Sequence, residues 1–326
     1  MDAVMKRGGE KLTKILLSLS EGFAKEKQML EEELGKLGAT VTSITTKKES
    51  ITEYLHDTEI IVTGLERIDQ DTIEKAPNLK YVSKFGTGVD NIDVVAASKR
   101  GILVTNTPSQ NASSVADLTL GLMLAVSRNL TKSNQTVKTG NWQLHMGNEI
   151  EGKRLGIIGF GEIGKKVAKR ATGFDMDIVS FANYQDEAKA QKLGVQFVSL
   201  EELLSTSDYV VISTSLKKST YQLINDQRLA LMKNSAYLIN IARGDLIDEK
   251  ALIRCLKAGQ IKGAALDVFS KEPPERELVE LDNVVCSSHI GGATEECAAR
   301  IGDTVLQNIK NYLQRRKLQH KVTKND

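Results

Sequence analysis

The sequence predicts an α/β protein built from two parallel-sheet domains. A chain of 326 residues is long enough for about two domains, each with its own core. Short apolar runs alternate with helical patterns, and this alternation begins twice, once at Lys14 and again at Lys153. Because a strand–helix–strand rhythm is typical of parallel sheets covered by helices, we expect two such sheets.

The first series of elements begins with the apolar strand KILLSLS at Lys14. The next segment, residues 23–38, has apolar residues near helical spacing and ends on a glycine, as helices often do. Three further strands are predicted in TEIIVTG, KYVSKFG and GILVTN, with helical segments between them. Together these elements predict one doubly wound domain.

The second series begins with KRLGIIGFG and continues with the strands MDIVSFA, YVVISTS, AYLINIA and GAALDVF. Between the two series, residues 111–129 predict a long helix that is too apolar to be a linker, with Ser113 or Ser114 as its cap. The amphipathic segment 295–314 is expected to return to the first domain. We therefore predict one domain of residues 12–111 plus 296–326 and a second of residues 112–295.

Composition narrows the classes of function. Lys plus Arg number 44 and Asp plus Glu 42, so the net charge of +2 gives no general attraction to nucleic acid or to an anionic membrane. No apolar run approaches the roughly 20 residues of a membrane-spanning helix. Cys255, Cys286 and Cys297 have no C-x-x-C spacing, which predicts a cytoplasmic protein without a zinc site. The basic end, residues 314–326, is predicted to be a solvated tail.

The segment GIIGFGEIG carries a nucleotide-binding pattern. Gly159, Gly161 and Gly164 have the G-x-G-x-x-G spacing, between an apolar strand and a helix. The first glycine allows a tight turn, the second lets the backbone approach a pyrophosphate, and the third lets the helix pack on the strand. The helix N-terminus supplies free N–H groups and a partial positive charge to the same phosphates. This context predicts a dinucleotide site rather than a plain strand–turn–helix.

The second strand of this series bears on the choice of dinucleotide. An acidic residue at its end normally binds the ribose hydroxyls of NAD, but that position is Ala182, and Asp186 follows too late. An arginine that would accommodate the extra phosphate of NADP is absent as well. Asn183 and Tyr184 can contact either ribose. We predict NAD, because no cation is placed to neutralise a further phosphate, and NADP is not excluded.

Three side chains with complementary chemistry follow three apolar, strand-like runs. Arg243 lies in NIARGDLID, Glu272 in ALDVFSKEPP and His289 in SSHIGGAT. Ligands of open α/β sheets bind at the carboxyl ends of the strands, so these side chains are expected to converge there. An arginine fork binds a carboxylate, and a carboxylate–imidazole pair transfers protons. Each residue alone has an ordinary structural interpretation, but their combination predicts an active site.

Six segments together resemble the D-isomer-specific 2-hydroxyacid dehydrogenases, in particular the branch similar to D-3-phosphoglycerate dehydrogenase. They are KFGTGVDNID, NTPSQNASSVADLTLGLMLAVSRN, LGIIGFGEIGKKVA, LINIARGDLIDEKAL, GAALDVFSKEPP and SSHIGGAT. The resemblance runs from about residue 55 to residue 315. It implies a flavodoxin-like substrate domain made from both chain ends and an inserted Rossmann dinucleotide-binding domain. It also implies a homodimer joined through the Rossmann domains and the long helix.

The resemblance assigns roles to individual residues. The family's catalytic arginine, glutamate and histidine fall on Arg243, Glu272 and His289, and Asp267 takes the place of the aspartate that binds the nicotinamide carboxamide. Cofactor contacts are expected at Thr87, Gly159, Gly161, Glu162, Ile163, Gly164, Ala182, Thr214, Ile241, Ala242, Asp267, Gly291 and Gly292. Substrate contacts are expected at Lys84, Phe85, Gly86, Gly88 and Arg243, and no residue is assigned to a metal.

The predicted reaction is reversible hydride transfer between a nicotinamide and C2 of a D-2-hydroxy acid or 2-keto acid. His289 would exchange the proton, and Glu272 would orient its ring and favour its charged form. Arg243 and backbone N–H groups of residues 85–88 would bind the substrate carboxylate. D-3-phosphoglycerate is one candidate substrate. The alternatives are a glyoxylate/hydroxypyruvate-type reductase, a specialised biosynthetic 2-keto acid reductase and, from another class, an NAD-sensing corepressor-like binding protein.

The sequence departs from the family pattern at positions that bear on these alternatives. Ser287 and Ser288 stand where the family often has Thr-Pro or Cys-Pro before the histidine. Thr63 and Gly64 replace the cation with which phosphoglycerate-oxidising members meet the phosphate, although Lys84 could partly serve. The identity of the substrate therefore stays open at the level of sequence.

Overall fold

The computed structural model of the protein describes residues 12–46 and 48–323. The described residues form two compact units: one consists of those up to Asn111 together with those from Ala293 onward, and the other of Ala112–Gly292. The chain thus returns to the first unit a few residues earlier than the sequence suggested. Thr294 explains this difference, because its side chain accepts a hydrogen bond from the Cys297 amide and so caps the final helix.

The first unit alternates strands and helices. Its strands are β1 Lys14–Leu19, β2 Thr40–Thr45, β3 Ile60–Thr63, β4 Tyr81–Lys84 and β5 Leu103–Thr105. Its α-helices are α1 Ala24–Lys36, α2 Gln70–Glu74, α3 Val94–Lys99 and, after the second unit, the final helix Glu295–Leu313. Glu21–Phe23 and Ile51–Asp57 are 3-10 helices.

The strands of the first unit form one parallel sheet in the order β2-β1-β3-β4-β5. This is the strand order of flavodoxin-like folds, so the predicted fold class is confirmed. Alternate residues of β1 enter two cores: Leu17 packs with Leu30 of α1 and Val305 of the final helix, whereas Leu16 packs with Ile73 of α2. Helices therefore cover both faces of the sheet, as a parallel sheet requires.

The basic end of the chain is more ordered than a solvated tail. Leu318 is buried, and the Val322 amide donates a hydrogen bond to the Val104 carbonyl on β5. Asn308 of the final helix bonds the Gln319 backbone through both atoms of its amide. Most side chains of residues 314–323 are exposed, as expected of a solvated tail, but Leu318 and Val322 hold the segment to the first unit. Residues 324–326 lie outside the described part of the chain.

The second unit contains the longer sheet. Its strands are β6 Arg154–Ile158, β7 Asp177–Phe181, β8 Val195–Phe197, β9 Tyr209–Ile212, β10 Tyr237–Asn240, β11 Gly263–Leu266 and β12 Val284–Cys286. Its α-helices are α4 Ala112–Ser127, α5 Leu130–Lys138, α6 Glu162–Ala171, α7 Glu187–Leu193, α8 Leu200–Thr206, α9 Asp226–Leu229, α10 Glu249–Lys257 and α11 Arg276–Val279. Thr172–Phe174 and Gly244–Leu246 are 3-10 helices.

The strands of the second unit are all parallel and follow the order β12-β11-β10-β9-β6-β7-β8. This is the Rossmann order extended by one further strand, β12, at one edge. The chain runs outward from β6 in one direction and from β9 in the other, so the topological switch point lies between these two strands. The long apolar helix α4 packs into the core of this unit, where Met123 joins the cluster that contains Leu155 of β6. Among the described residues, no helix is long and apolar enough to cross a membrane.

Candidate active site

The three fingerprint glycines lie at the switch point of the second sheet. Gly159 follows β6 with φ +101°, and a Cβ there would lie 2.8 Å from the amide nitrogen of Thr214, which follows β9. A Cβ at Gly164 would lie 2.2 Å from the carbonyl oxygen of Gly159. These two glycines are therefore required by the fold itself.

Gly161 differs from the other two glycines. Its φ of −77° suits any residue, and a Cβ there would meet nothing within 4 Å. The backbone around Gly161 thus borders open space at the carboxyl edge of the sheet, which suits the close approach of a pyrophosphate. Gly161 caps α6 without a side-chain hydrogen bond, so Glu162, Ile163 and their neighbours begin a ten-residue helix whose first N–H groups face this space.

A charged pair joins α6 to the N-terminus of α7. Lys165 of α6 donates to Asp186 at 2.8 Å and lies 3.5 Å from Glu162. The hydrogen bond with Asp186 raises the pKa of Lys165, and the same bond holds the pKa of Asp186 below its usual value. Both residues line a cavity of about 320 Å³ that is also lined by Glu162, Lys166, Lys169 and Lys189.

The absence of a cation placed to neutralise a further phosphate stays a prediction, since the ammonium group of Lys165 is paired with Asp186. Lys165 was missed because it belongs to the helix before β7 rather than to the segment after it. The sequence did indicate that Lys165 lies near the start of this helix, because residues three apart, such as Glu162 and Lys165, share a helix face. Ala182 itself directly follows β7 and packs against the core, with no carboxylate of its own to offer a ribose.

The end of β10 is shaped by a buried asparagine that no sequence pattern indicated. Asn240 is fully buried, its side-chain oxygen accepts from the Ala242 amide at 3.1 Å, and its side-chain nitrogen donates to the Arg243 carbonyl at 2.8 Å. The turn before Arg243 is therefore fixed from inside the protein. Ile241 is buried, and the Arg243 guanidinium donates to the Ala242 carbonyl at 2.7 Å.

A close backbone contact joins the segment of Arg243 to the segment of Glu272. A Cβ at Gly244 would lie 1.9 Å from the carbonyl carbon of Phe269 and 2.0 Å from the Ser270 nitrogen. Only glycine permits this approach. The chain after β10 and the chain after β11 are therefore adjacent, as is expected of neighbouring strand ends.

Glu272 and His289 form a bonded pair. Nδ1 of His289 lies 3.1 Å from both carboxylate oxygens of Glu272, and the Phe269 amide lies 3.4 Å from Oε1 of the same glutamate. The side chains of the pair are 40% and 39% exposed, so solvent and a small ligand can reach them. Because Nδ1 faces the carboxylate, Nε2 is the ring nitrogen left to face a ligand.

Asp267, at the end of β11, is buried and accepts three hydrogen bonds. The Ser287 hydroxyl donates to Oδ1 at 2.6 Å, the Ile290 amide donates to Oδ1 at 2.8 Å, and the Gly291 amide donates to Oδ2 at 2.8 Å. A Cβ at Gly291 would lie 3.1 Å from Oδ2, so glycine allows this approach to the carboxylate.

The loop of residues 84–88 belongs to the first unit. Lys84 is buried there and donates to the Asn91 side chain at 2.7 Å and to the Gly64 carbonyl. Phe85 is buried with its ring centroid 5.1 Å from that of Phe23, and Gly86 has φ +143°.

Thr87 lies in the same loop and is tied to the segment that follows β5. Its hydroxyl has two acceptors within reach of its single proton, the Thr107 carbonyl at 3.1 Å and the Asn111 side-chain oxygen at 3.2 Å. In the described part of the chain, the backbone N–H groups of Gly86, Thr87 and Gly88 have no hydrogen-bond acceptor. They are therefore available to an anion.

No group of three or more potential metal ligands occurs among the described residues.

The NAD-binding domain model of the D-isomer specific 2-hydroxyacid dehydrogenases matches residues 120–291 of this chain. The chain belongs to this family. It is 43% identical over 273 residues to the glyoxylate reductase of Pyrococcus furiosus, covering 80% of this chain and 81% of that protein. It is 42% identical over 287 residues to the D-3-phosphoglycerate dehydrogenase of Methanocaldococcus jannaschii, covering 86% of this chain and 54% of that longer protein.

A solved structure agrees with this assignment. The D-lactate dehydrogenase of Aquifex aeolicus, complexed with NAD and lactic acid, superposes with a TM-score of 0.83 at 28% identity, covering 93% of this chain and 96% of that one. The family membership makes this chain an NAD-dependent oxidoreductase of 2-hydroxy acids, so the predicted enzyme class and NAD as cofactor are confirmed. The residues at the switch point fit NAD, since the space beside Gly161 and the start of α6 both favour a dinucleotide phosphate.

The position of Ala182 yields a prediction about cofactor choice. An Ala182→Asp substitution supplies the missing carboxylate, so NADH should bind about tenfold more tightly and NADPH about tenfold more weakly, because one charged hydrogen bond contributes about 1.5–3 kcal/mol. Fluorescence titration of both cofactors measures this change. Ala182→Asn is the neutral control. It should change the logarithm of the ratio of the NADH and NADPH affinities by less than half of the change that the aspartate variant shows. An unchanged ratio in the aspartate variant would contradict the placement of the ribose.

Proposed function

We propose that this chain reduces a small, unphosphorylated 2-keto acid of the glyoxylate class with NADH, and that Arg243, Glu272 and His289 perform the reaction. The observation that carries the catalytic part is the bond between His289 and Glu272, with Nδ1 3.1 Å from each carboxylate oxygen. A histidine held in this way can supply a proton at one defined nitrogen.

His289 is the proposed proton donor in reduction. Bound NADH supplies the hydride. The carboxylate of Glu272 keeps a proton on Nδ1, orients the ring and stabilises the positive charge of the imidazolium. Nε2 then donates its proton to the substrate oxygen, on which negative charge develops. In the reverse direction, neutral Nε2 removes the hydroxyl proton.

Arg243 is the proposed partner of the substrate carboxylate. Its guanidinium presents parallel N–H donors that match the two oxygens of a carboxylate. The Asn240 side chain supports this role by fixing the backbone on both sides of the Ala242–Arg243 peptide bond. A 2-keto acid held at its carboxylate has its neighbouring carbonyl in a defined position, which is the main requirement for transfer of a hydride and a proton.

The loop of residues 84–88 is a second proposed anion contact. The free N–H groups of Gly86, Thr87 and Gly88 are donors of the kind that hold carboxylates in backbone nests. The hydroxyl of Thr87 supports a rigid loop through its contacts with Thr107 and Asn111. A rigid set of donors costs little reorganisation when the substrate binds.

The charges around Lys84 support an unphosphorylated substrate. Its ammonium group is buried and bonded to Asn91 and Gly64, so it is committed to holding the loop. By the resemblance in sequence, Thr63 and Gly64 take the place of the cation with which phosphoglycerate-oxidising members meet the phosphate. The similarity to the glyoxylate reductase of Pyrococcus furiosus supports the same substrate class. The similarity to a D-3-phosphoglycerate dehydrogenase favours 3-phosphohydroxypyruvate as the second candidate.

Four substrates test this proposal. NADH oxidation is measured with glyoxylate, hydroxypyruvate, pyruvate and 3-phosphohydroxypyruvate. Hydroxypyruvate and its 3-phosphate are a matched pair that differ only in the phosphate, and we expect kcat/KM to be at least about tenfold higher without it, equivalent to about 1.4 kcal/mol. A preference for the phosphorylated acid would favour the second candidate, and no turnover with any of the four would contradict both.

A homodimer is the proposed assembly. The segment after α5 exposes large apolar side chains, with Trp142 at 93%, Leu144 at 84% and Met146 at 81% exposure. Leu130 and Val137 of α5 itself are also exposed. Contiguous exposed apolar side chains are typical of protein–protein interfaces, and tryptophan is a frequent anchor in them. We propose that this segment packs against a second copy of the chain.

Removal of these anchors should dissociate the dimer. We expect the Trp142→Ser, Leu144→Ser variant to have the mass of one chain in size-exclusion chromatography with light scattering, whereas the wild-type protein has the mass of two chains. Leu65→Ser removes an exposed leucine of the other unit and should leave the dimer intact. A wild-type monomer, or a double variant that stays dimeric at micromolar concentration, would refute the interface.

The proposed cellular location is the cytoplasm. Cys255, Cys286 and Cys297 are free thiols, as is usual in a reducing compartment. Fractionation of the source cells, with the chain detected outside the cytosolic fraction, would overturn this proposal.

A further inference from the structure

We propose that Asp267 and Ser287 are positioning residues that hold His289 in place for proton transfer. The Asp267 network consists of the three hydrogen bonds that the Ser287 hydroxyl and the amides of Ile290 and Gly291 donate to the Asp267 carboxylate. This inference rests on the proposed role of His289. It extends that role to a serine to which no contact with substrate or cofactor has been assigned.

The backbone of His289 needs support from its surroundings. Its φ is +57°, in the left-handed region that residues other than glycine rarely adopt. Such a conformation persists when nearby contacts impose it. Two consecutive amides after His289 donate to the Asp267 carboxylate, and the His289 amide itself donates to the Asp267 carbonyl at 2.9 Å. The conformation that directs the imidazole toward Glu272 is therefore imposed by Asp267.

The burial of Asp267 makes this support strong. The residue is 1% exposed, and a buried carboxylate is unfavourable unless donors satisfy its oxygens. Hydrogen bonds to an ionised group are shorter and stronger than bonds between neutral groups. If the loop of His289 moved away, the carboxylate would lose several of its donors at once. The network therefore resists displacement of the loop.

Ser287 is the only side-chain donor among the three bonds to the carboxylate. Its hydroxyl lies 2.6 Å from Oδ1, and the adjacent Ser288 is exposed. Oδ2 accepts one bond in the network, from Gly291. A carboxylate oxygen accepts about two bonds, so Oδ2 keeps capacity for the amide of a nicotinamide. The network and the predicted cofactor contact of Asp267 are thus compatible, and Ser287 can be altered without touching that contact.

Three variants test the inference. In Ser287→Ala we expect kcat to fall about tenfold, equivalent to about 1.4 kcal/mol in the barrier, while KM and the NADH dissociation constant stay within about twofold. Ser287→Thr keeps the hydroxyl and should retain at least about half of the wild-type kcat. Ser288→Ala is the matched control from the same loop and should resemble the wild type. Equal melting temperatures establish that the variants are folded.

Hydrogen exchange provides a readout that does not depend on turnover. In Ser287→Ala the amides of Ile290 and Gly291 should exchange at least about tenfold faster by mass spectrometry, and in the other two variants at the wild-type rate. The inference requires that Ser287→Ala show both the lower kcat and the faster exchange. An unchanged kcat in Ser287→Ala, or a lower kcat with unchanged exchange, would overturn the inference.

The two proposals fail in different ways. Turnover in the wild type that His289→Gln abolishes, together with a fully active Ser287→Ala, would reject only the positioning role. Absence of turnover in the wild type would reject the proposed function. Exchange in Ser287→Ala at the wild-type rate would reject the network whether or not turnover is found.

Discussion

The buried carboxylate of Asp267 is the constraint on which the candidate active site depends. It ends one strand of the Rossmann sheet and accepts hydrogen bonds from the loop after the next strand, which carries His289. Because it is 1% exposed, it cannot exchange these donors for water. The backbone that carries the imidazole is therefore held by the sheet, and Glu272 bonds the ring itself at Nδ1.

The parallel sheet explains why these residues meet. Parallel strands all end at one edge, and the strand order reverses between β6 and β9, which opens a crevice there. Gly159 and Gly164 allow the close backbone packing at this point, and Gly161 leaves space beside it. At the next strand ends, Gly244 lets two chain segments touch, so that the segments of Arg243 and Glu272 are adjacent. The candidate catalytic and cofactor-binding residues thus lie at several strand ends, and a glycine or a buried polar side chain fixes the backbone at each of them.

Much of this arrangement could be predicted from the sequence. The apolar strands and the glycine spacing are local patterns of the sequence, and they predicted both sheets. Strand β2, TVTSIT, was missed because it is an edge strand with polar side chains, and Leu318 was misjudged because one apolar residue in a basic segment gives no periodicity. The role of Ser287 could not be predicted, because its partner Asp267 is 20 residues away in sequence and adjacent only in the fold.

One measurement tests the central claim most directly: the kinetics and cofactor binding of His289→Gln, with His56→Gln as control because His56 is an exposed histidine of the other unit. If His289 exchanges the substrate proton, kcat for the preferred 2-keto acid should fall about 10²–10⁴-fold, the usual contribution of a general acid–base residue. The dissociation constant for NADH should stay within about threefold of the wild-type value. A His289→Gln enzyme whose kcat lies within about fivefold of the wild type would contradict the account.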